Sequence, residues 1–182
     1  MKIIFLDRDG VVNRYPGDGN YVTKVKDFHF IPGSLQGIHD LTKGGYKIFV
    51  ISNQAGVGRG VFSLEKLNRI NTHMIKGVEK AGGKIQKSFY CTHRPDAGCE
   101  CRKPGIGLVQ KALRSLNKTI RHAKVAFFVG DTQKDIQTGH KADCKTILVL
   151  SGRENRRSAS RWPVKPDFIV KDLKAASEVV LG

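Results

Sequence analysis

The amino-acid sequence predicts an α/β protein whose mostly parallel sheet is covered by helices on both faces. Short apolar segments rich in β-branched and aromatic residues recur along the chain, as in strands buried on both faces. Segments with apolar residues at helical spacing lie between them. Because strands that alternate with helices need crossover connections, this order indicates a parallel sheet. Such sheets bind ligands at the carboxyl ends of their strands.

Six segments are predicted to be strands, and most of them are apolar. Ile3–Leu6 is uniformly apolar and stops at two aspartates, whereas Tyr46–Ile51 stops at a serine. Val125–Val129 again ends close to an aspartate. Polar side chains are therefore expected to gather at one edge of the sheet. The predicted strands are Ile3–Leu6, Tyr46–Ile51, Ile85–Tyr90, Val125–Val129, Thr146–Leu150 and Phe168–Val170.

Five segments are predicted to be helices. Ser34 and Ser63 are N-cap candidates, since a serine side chain can accept a hydrogen bond from the first turn. Paired glycines at 44–45 and 82–83 end two of the helices. The segment 13–32 lacks periodicity and is expected to be a long loop near the site. The predicted helices are 34–43, 63–81, 104–116, 134–140 and 173–180.

Composition limits the possible partners of the chain. Its 182 residues are expected to form a single domain, residues 1–182. The net charge of +16 suits nucleic acid, an acidic membrane surface or a small polyanionic substrate. Lysine and arginine are scattered, however, and gather only at 153–161, which we interpret as a solvated loop. We therefore do not expect a nucleic-acid partner.

Hydropathy gives no sign of a membrane partner. No apolar run is long enough to span a bilayer. The N-terminus also lacks the apolar stretch and cleavage site of a secretory signal. We expect a cytoplasmic monomer.

Two carboxylates, Asp7 and Asp9, follow the first strand. Because side chains two positions apart on an extended backbone share a side, both can stand at the carboxyl end of that strand. Acids this close repel each other unless a cation or a shared proton compensates, and a divalent metal is such a cation. Asp is also common in turns and helix caps, so this pair alone fits either interpretation.

Three of the four cysteines lie close together. Cys91, His93, Cys99 and Cys101 supply three sulfurs and an imidazole, which suit tetrahedral Zn²⁺. Four protein ligands leave no open position, so the zinc is predicted to be structural. The alternative is a group of buried, unliganded cysteines. Cys144 stands apart and is expected to be a packed thiol in the core.

Four separated motifs resemble those of the haloacid dehalogenase (HAD) superfamily of phosphotransferases. They are Asp-Arg-Asp-Gly-Val-Val-Asn from Asp7, Ser-Asn-Gln-Ala-Gly-Val-Gly-Arg-Gly from Ser52, Cys-Glu-Cys-Arg-Lys-Pro from Cys99 and Val-Gly-Asp-Thr-Gln-Lys-Asp from Val129. The resemblance is closer still to the small, cap-less heptose-bisphosphate and histidinol-phosphate phosphatases, and runs from about residue 1 to 152. It implies a three-layer, Rossmann-like (HAD-like) fold with no cap domain and with a zinc-binding loop.

The resemblance implies a role for each acid. Asp7 would be the nucleophile that forms an aspartyl-phosphate. Asp9 would protonate the leaving oxygen and then activate water. Mg²⁺ would be held by Asp7, the backbone carbonyl of Asp9 and Asp131, and Asp135 would orient its waters.

The other motifs are implied to bind phosphate and substrate. Ser52 would donate its hydroxyl to phosphate, and Lys103 would stabilise the developing oxyanion. Arg102 would help to recognise substrate with its planar fork. The family often has a lysine where this chain has Thr132, so a role for that position stays open. The residues expected to contact substrate are Asp7, Asp9, Tyr21, Ser52, Asn53, Gln54, Arg59, Arg102 and Lys103.

The predicted substrate is a small sugar phosphate, D-glycero-D-manno-heptose 1,7-bisphosphate, from which the 7-phosphate is removed. Histidinol phosphate is one alternative. A polynucleotide 3′-phosphate is another, which the net charge favours but for which no aromatic stacking platform is evident. A different class, a basic nucleic-acid-binding zinc protein without catalysis, is also possible. The set of acids argues against it, because bare carboxylates repel phosphate.

Overall fold

A six-stranded parallel sheet forms the centre of the computed structural model, which describes residues 1–182. The strands are β1 (Ile3–Leu6), β2 (Lys47–Asn53), β3 (Ile85–Cys91), β4 (Phe127–Gly130), β5 (Lys145–Val149) and β6 (Phe168–Val170). Their order in the sheet is β3-β2-β1-β4-β5-β6, and every neighbouring pair is parallel. The strand order reverses at β1, so ligands are expected to bind between β1 and its neighbours. The predicted fold class is confirmed.

Helices cover both faces of the sheet. They are α1 (Ser34–Lys43), α2 (Ala55–Gly58), α3 (Leu64–Lys80), α4 (Gly107–Arg114), α5 (Gln133–Lys141), α6 (Arg156–Ala159) and α7 (Leu173–Leu181). Two 3-10 turns, Val25–Asp27 and Ile120–Val125, complete the chain. None of the helices combines the length and the apolar character needed to traverse a bilayer.

The alternation of side chains along β1 divides the core into two layers. Ile4 and Leu6 pack with α1, α3 and α7 on one face of the sheet. Ile3 and Phe5 pack with α4 on the other face. A smaller cluster joins α5 and α6 to β5 on that second face. Since both faces are covered, every residue of β1 is buried, as its uniformly apolar sequence predicted.

The structure confirms the predicted bounds of α1 but corrects its N-cap residue, and it corrects two predicted element starts. Helix α1 is capped by Gly33 in a left-handed conformation (φ 81°), so Ser34 lies inside the helix rather than at its cap. Val125 ends a 3-10 turn and is exposed, because Ala123 and Ala126 are the residues that face the core there. The helix predicted from Pro104 begins only at Gly107, since the preceding residues fold back against the backbone of Glu100. By contrast, Ser63 caps α3 as predicted and accepts from the Lys66 amide at 3.2 Å.

Candidate active site

Three aspartates meet at the carboxyl ends of β1 and β4. These strands are hydrogen-bonded neighbours, and the amide of Asp7 donates to the carbonyl of Val129 at 2.9 Å. Asp131 follows β4 directly, and Asp135 lies one helical turn later in α5. Carboxylate oxygens of the three aspartates lie within 4.8 Å of one another. The predicted meeting of the first and fourth motifs therefore occurs in the structure.

Lys103 reaches this cluster from the segment after the cysteine-rich loop. Its Nζ lies 2.9 Å from Asp7 Oδ1 and 2.6 Å from Asp135 Oδ1, and it donates to the carbonyl of Ile51 at 2.9 Å. The side chain is only 3% exposed. One buried ammonium group thus contacts two of the three carboxylates.

Burial sets the charges of these groups. It raises the pKa of Asp7 to about 6, an effect that Lys103 opposes and Asp135 reinforces. Burial also raises the pKa of Asp131 well above its usual value, with Asp135 and Asp7 contributing. Burial alone would lower the pKa of Lys103, but the two acids that it contacts raise it above its usual value. The lysine therefore stays protonated.

The cluster has the donor set that a magnesium ion requires. Three carboxylates against one ammonium group leave two negative charges uncompensated when all are ionised. A hard divalent cation with oxygen ligands would neutralise them. The residues present therefore fit magnesium, with Asp7 and Asp131 as the side chains that would hold it.

Asp9 is held apart from this cluster by polar side chains that bind its carboxylate. The guanidinium of Arg8 contacts both oxygens at 2.9 Å. Asn13 Nδ2 donates to Oδ1 at 2.9 Å, and Gln54 Nε2 donates to Oδ2 at 2.8 Å. Arg8 is fully buried, with a relative exposure of 0%. The carboxylate that the family pattern implies as acid and base is thus fixed in one orientation.

The end of β2 supplies the second motif. Ser52 is buried, lies in the wall of the same cavity as Asp7, and its hydroxyl helps to lower the pKa of Asp7. Asn53 pairs with the backbone of Lys103, accepting from its amide at 3.1 Å and donating to its carbonyl at 3.2 Å. Gln54 is buried and bonds Asp9 and Ser52, so it contacts the site's own residues rather than open space.

A cavity of about 150 Å³ opens above the acids. Five of the residues expected to contact substrate line it: Asp7, Asp9, Tyr21, Ser52 and Asn53. The predicted metal ligand Asp131 and Thr132, whose role the sequence left open, also line it, and four residues that the sequence did not single out complete its wall: Tyr15, Pro16, Asn20 and Arg153. Arg59 lies outside this wall but donates to Tyr21 Oη at 3.3 Å.

Arg102 lines a different cavity from the one above Asp7. That cavity, of about 280 Å³, is lined by the cysteine-rich loop, Arg102, Lys103 and Lys134 of α5. The structure therefore brings Arg102 beside Lys103 but not into the wall above Asp7. Its contact with substrate stays a prediction.

Thr132, where the family often has a lysine, serves to start α5. Its amide and hydroxyl both bond Asp135 Oδ2, at 3.0 and 2.5 Å. These bonds fix the carboxylate whose other oxygen faces Lys103. The departure from the family pattern thus keeps the acid cluster in place.

The cysteine-rich loop gathers its four predicted ligands. Sulfur atoms of Cys91, Cys99 and Cys101 lie 3.4 to 3.6 Å apart, and His93 Nδ1 lies 3.2 Å from Cys101 Sγ. Burial would raise the pKa of Cys99, but hydrogen bonds from Cys101 and Cys91 lower it to about 7. This close set of soft ligands fits tetrahedral zinc. Cys144 is buried in the apolar core, as predicted.

The zinc loop is tied to the acid site. The amide of Gln54 donates to the carbonyl of Cys91 at 2.7 Å, which joins the ends of β2 and β3. Lys103 follows Cys101 by two residues. A rigid loop here would therefore fix the lysine that contacts Asp7.

Comparisons with known proteins agree with this geometry. A family model described as HAD-hydrolase-like matches residues 100–176. A D-glycero-β-D-manno-heptose-1,7-bisphosphate 7-phosphatase of Bordetella bronchiseptica is 34% identical over all of this chain and 98% of its own length. A D-glycero-α-D-manno-heptose-1,7-bisphosphate 7-phosphatase of Campylobacter jejuni, named for the α anomer, is 34% identical over 82% of this chain and 83% of its own length.

A solved structure extends the likeness to three dimensions. The crystal structure of the B. bronchiseptica D,D-heptose 1,7-bisphosphate phosphatase, complexed with magnesium and phosphate, has a TM-score of 0.90 and 35% identity, and the match covers 100% of this chain and 98% of that chain. Fold and site together thus define a magnesium-dependent phosphoric monoester hydrolase. The chain belongs to the haloacid dehalogenase-like hydrolases, in the family of the D-glycero-D-manno-heptose-1,7-bisphosphate 7-phosphatases. The predicted family is confirmed.

Proposed function

We propose that this protein removes the 7-phosphate from D-glycero-D-manno-heptose 1,7-bisphosphate. The observation that carries the proposal is the placement of Asp7 beside Lys103 and Asp131 at the floor of a small cavity. The likeness to phosphatases of this substrate over the full chain supports it.

The reaction proceeds in two displacements at phosphorus. Asp7 attacks the 7-phosphate, so that an aspartate–phosphorus bond forms and the bond to the sugar oxygen breaks. Asp9 gives a proton to that oxygen, then takes one from the water that cleaves the aspartyl-phosphate. Lys103 balances the charge of the cluster throughout. Asp7, Asp131 and the backbone carbonyl of Asp9 would hold magnesium, which would supply positive charge beside the phosphate oxygens.

Substrate contacts follow from the cavity wall. Ser52 offers a hydroxyl to the reacting phosphate, while Tyr21 and Asn53 face the sugar. Arg102 and Arg59 stand outside this wall, and the roles proposed for them depend on contacts made when substrate binds. Asp135 is proposed to act by positioning Lys103 and orienting the waters of magnesium.

Zinc is proposed to have a purely structural role at Cys91, His93, Cys99 and Cys101. We further propose that residues 1–182 work as one domain, as a monomer in the cytoplasm. Neither nucleic acid nor a membrane is a proposed partner.

A substrate panel tests the proposal. Phosphate release is measured as kcat/KM for the α and β anomers of heptose 1,7-bisphosphate, for histidinol phosphate and for a 3′-phosphorylated oligonucleotide. We expect kcat/KM for one heptose anomer to exceed kcat/KM for histidinol phosphate and for the oligonucleotide by at least about a hundredfold. Higher efficiency on histidinol phosphate or on the oligonucleotide would contradict the proposal. DNA binding with no hydrolysis of any substrate would favour the non-catalytic alternative.

A further inference from the structure

Arg153 is the one cationic residue that lines the cavity above the acids. The residues that face it there are otherwise acidic, neutral polar or apolar. Arg153 lies in the loop after β5 and was grouped by its sequence with a solvated basic stretch.

The backbone of Arg153 is fixed relative to the acid cluster. Its amide donates to Asp131 Oδ2 at 2.8 Å. The preceding Gly152 packs so closely on Asp131 that a Cβ would collide with the carboxylate. Ser151 Oγ donates to the carbonyl of Gly10 at 2.8 Å. The position from which the guanidinium extends is therefore set by the same residues that form the phosphate site.

The side chain of Arg153 has an exchangeable partner. Its Nε lies 2.9 Å from Asp18 Oδ1, and the two side chains are 50% and 72% exposed. Tyr15 also donates to that aspartate oxygen, at 2.6 Å. An exposed ion pair contributes little to stability. A phosphate dianion, which can accept two parallel hydrogen bonds from a guanidinium, can replace the carboxylate.

We propose that Arg153 binds the second, non-reacting phosphate of a bisphosphate substrate, taking it in place of Asp18. Arg153 is then a specificity-determining residue that favours sugars with an anionic group at each end. This inference rests on the proposed function and deepens it. Arg102, which the family pattern implies for substrate recognition, lines a separate cavity.

Kinetics on matched substrates test the assignment. Arg153→Met is compared with Arg157→Met, which changes an exposed arginine of the following helix, α6, that lies outside the cavity wall. The substrates are heptose 1,7-bisphosphate, heptose 7-phosphate, fructose 1,6-bisphosphate and fructose 6-phosphate. Arg153→Met should raise KM for each bisphosphate about tenfold or more and leave kcat for the bisphosphates nearly unchanged. For both monophosphates, KM and kcat should stay close to the wild-type values. Arg157→Met should match the wild type.

Two further variants sharpen the outcome. Arg153→Lys should recover part of the lost affinity, because it restores the charge without the planar fork. Asp18→Asn should lower KM for bisphosphates by a few fold, since it releases Arg153.

If the wild type prefers bisphosphates and Arg153→Met keeps that preference, the inference is wrong and the proposed function stands. The inference is also wrong if Arg153→Met loses as much kcat/KM on monophosphates as on bisphosphates. It is likewise wrong if only Arg102→Met loses the preference for bisphosphates. A wild type with no preference for bisphosphates contradicts both.

Discussion

Lys103 is the residue on which the geometry of the acid cluster depends. Its ammonium group contacts Asp7 and Asp135, and the amide side chain of Asn53 holds its backbone. Because these groups are buried, their interaction is weakly screened and their protonation is coupled. A single change of charge among them should therefore alter chemistry far more than it alters the fold.

Replacing Asp7, the proposed nucleophile, tests this expectation. Asp7→Asn keeps the shape of the side chain but removes the attacking oxygen, so kcat should fall by about a thousandfold or more. The melting temperature should change little, because one buried negative charge is lost beside two others. Asp27→Asn, at an exposed position in a 3-10 turn, is the matched control and should keep full activity. Activity retained in Asp7→Asn would exclude Asp7 as the nucleophile.

The raised pKa values of the acids predict how magnesium stabilises the protein. Burial raises the pKa of Asp7 from 3.8 to about 6, and that of Asp131 well above its usual value. A carboxylate with a raised folded-state pKa stabilises the protein below its unfolded value, and this contribution is lost as pH rises through the folded value. Without magnesium, stability from these groups should thus decline between about pH 4 and pH 6 or above.

Magnesium should offset that decline, because it binds the ionised acids. The rise in melting temperature on adding Mg²⁺ should be small at about pH 5 and larger at about pH 8. Differential scanning fluorimetry in buffers with and without Mg²⁺, and with no chelator, measures this difference while sparing zinc. Asp131→Asn should reduce the gain at the higher pH. A gain of equal size at both pH values would argue against these acids as the ligands.

At the level of elements, the sequence predicted what burial and spacing dictate. Every strand of the sheet was predicted. The strand β1 is apolar throughout because both of its faces are covered, whereas β3, at one edge of the sheet, mixes apolar and polar residues. The N-cap residue of α1 was not predicted. It is Gly33, because the chain turns there in a left-handed conformation that suits glycine. The polar ends of β1, β2 and β4 were predicted to meet, and they do.

Residues whose role depends on tertiary position could not be predicted in this way. Arg8 stands between two aspartates, a pattern typical of an exposed counter-ion, yet the fold buries it completely. Arg153 belongs to a basic stretch whose other members face solvent, and only the loop after β5 turns it toward the cavity. The pattern Asp-Arg-Asp after a buried strand could have indicated Arg8. No local pattern indicated Arg153.

The zinc loop, residues 91–101, carries its own prediction. Cys99→Ser removes one of four ligands, so zinc should be lost together with about 2 kcal/mol or more of stability, a shift of about 5 °C or more in melting temperature. Activity should fall as well, since Lys103 follows the loop by only two residues. Zinc content by atomic emission and thermal unfolding measure the two effects.

Cys144→Ser is the control for this change. That thiol is buried in the apolar core and lies outside the ligand group. The variant should keep its zinc even if packing costs some stability. A Cys99→Ser protein with full zinc content and an unchanged melting temperature would contradict a structural metal at this loop.

At the scale of the whole molecule, the basic residues behind the net charge of +16 are spread over several elements and are not gathered on one face. Lysine and arginine occur on α3, α4, α5 and the loops between them, while several acids are used inside the site. Such a distribution attracts polyanions by long-range electrostatics without selecting among them. It would also speed the approach of a doubly phosphorylated sugar.

DNA binding is therefore expected to be weak and sensitive to salt. Fluorescence anisotropy with a short duplex should show association at about 0.05 M salt that is nearly lost at about 0.2 M. Competitor DNA at the higher salt should leave phosphatase activity unchanged. Tight binding that persists at about 0.2 M salt, with activity inhibited in parallel, would make nucleic acid a partner after all.

The strand order has a consequence for how such an enzyme can change its substrate over evolution. Asp7 and Asp131 directly follow β1 and β4, whereas Asp18 and Arg153 belong to loops that leave the sheet and pair through exposed side chains. Insertions or exchanges in these loops would alter ligand preference without disturbing the apolar layers beneath. A descendant gene could therefore acquire a new metabolite as substrate by changing a few loop positions, while it inherits its phosphoryl chemistry unchanged.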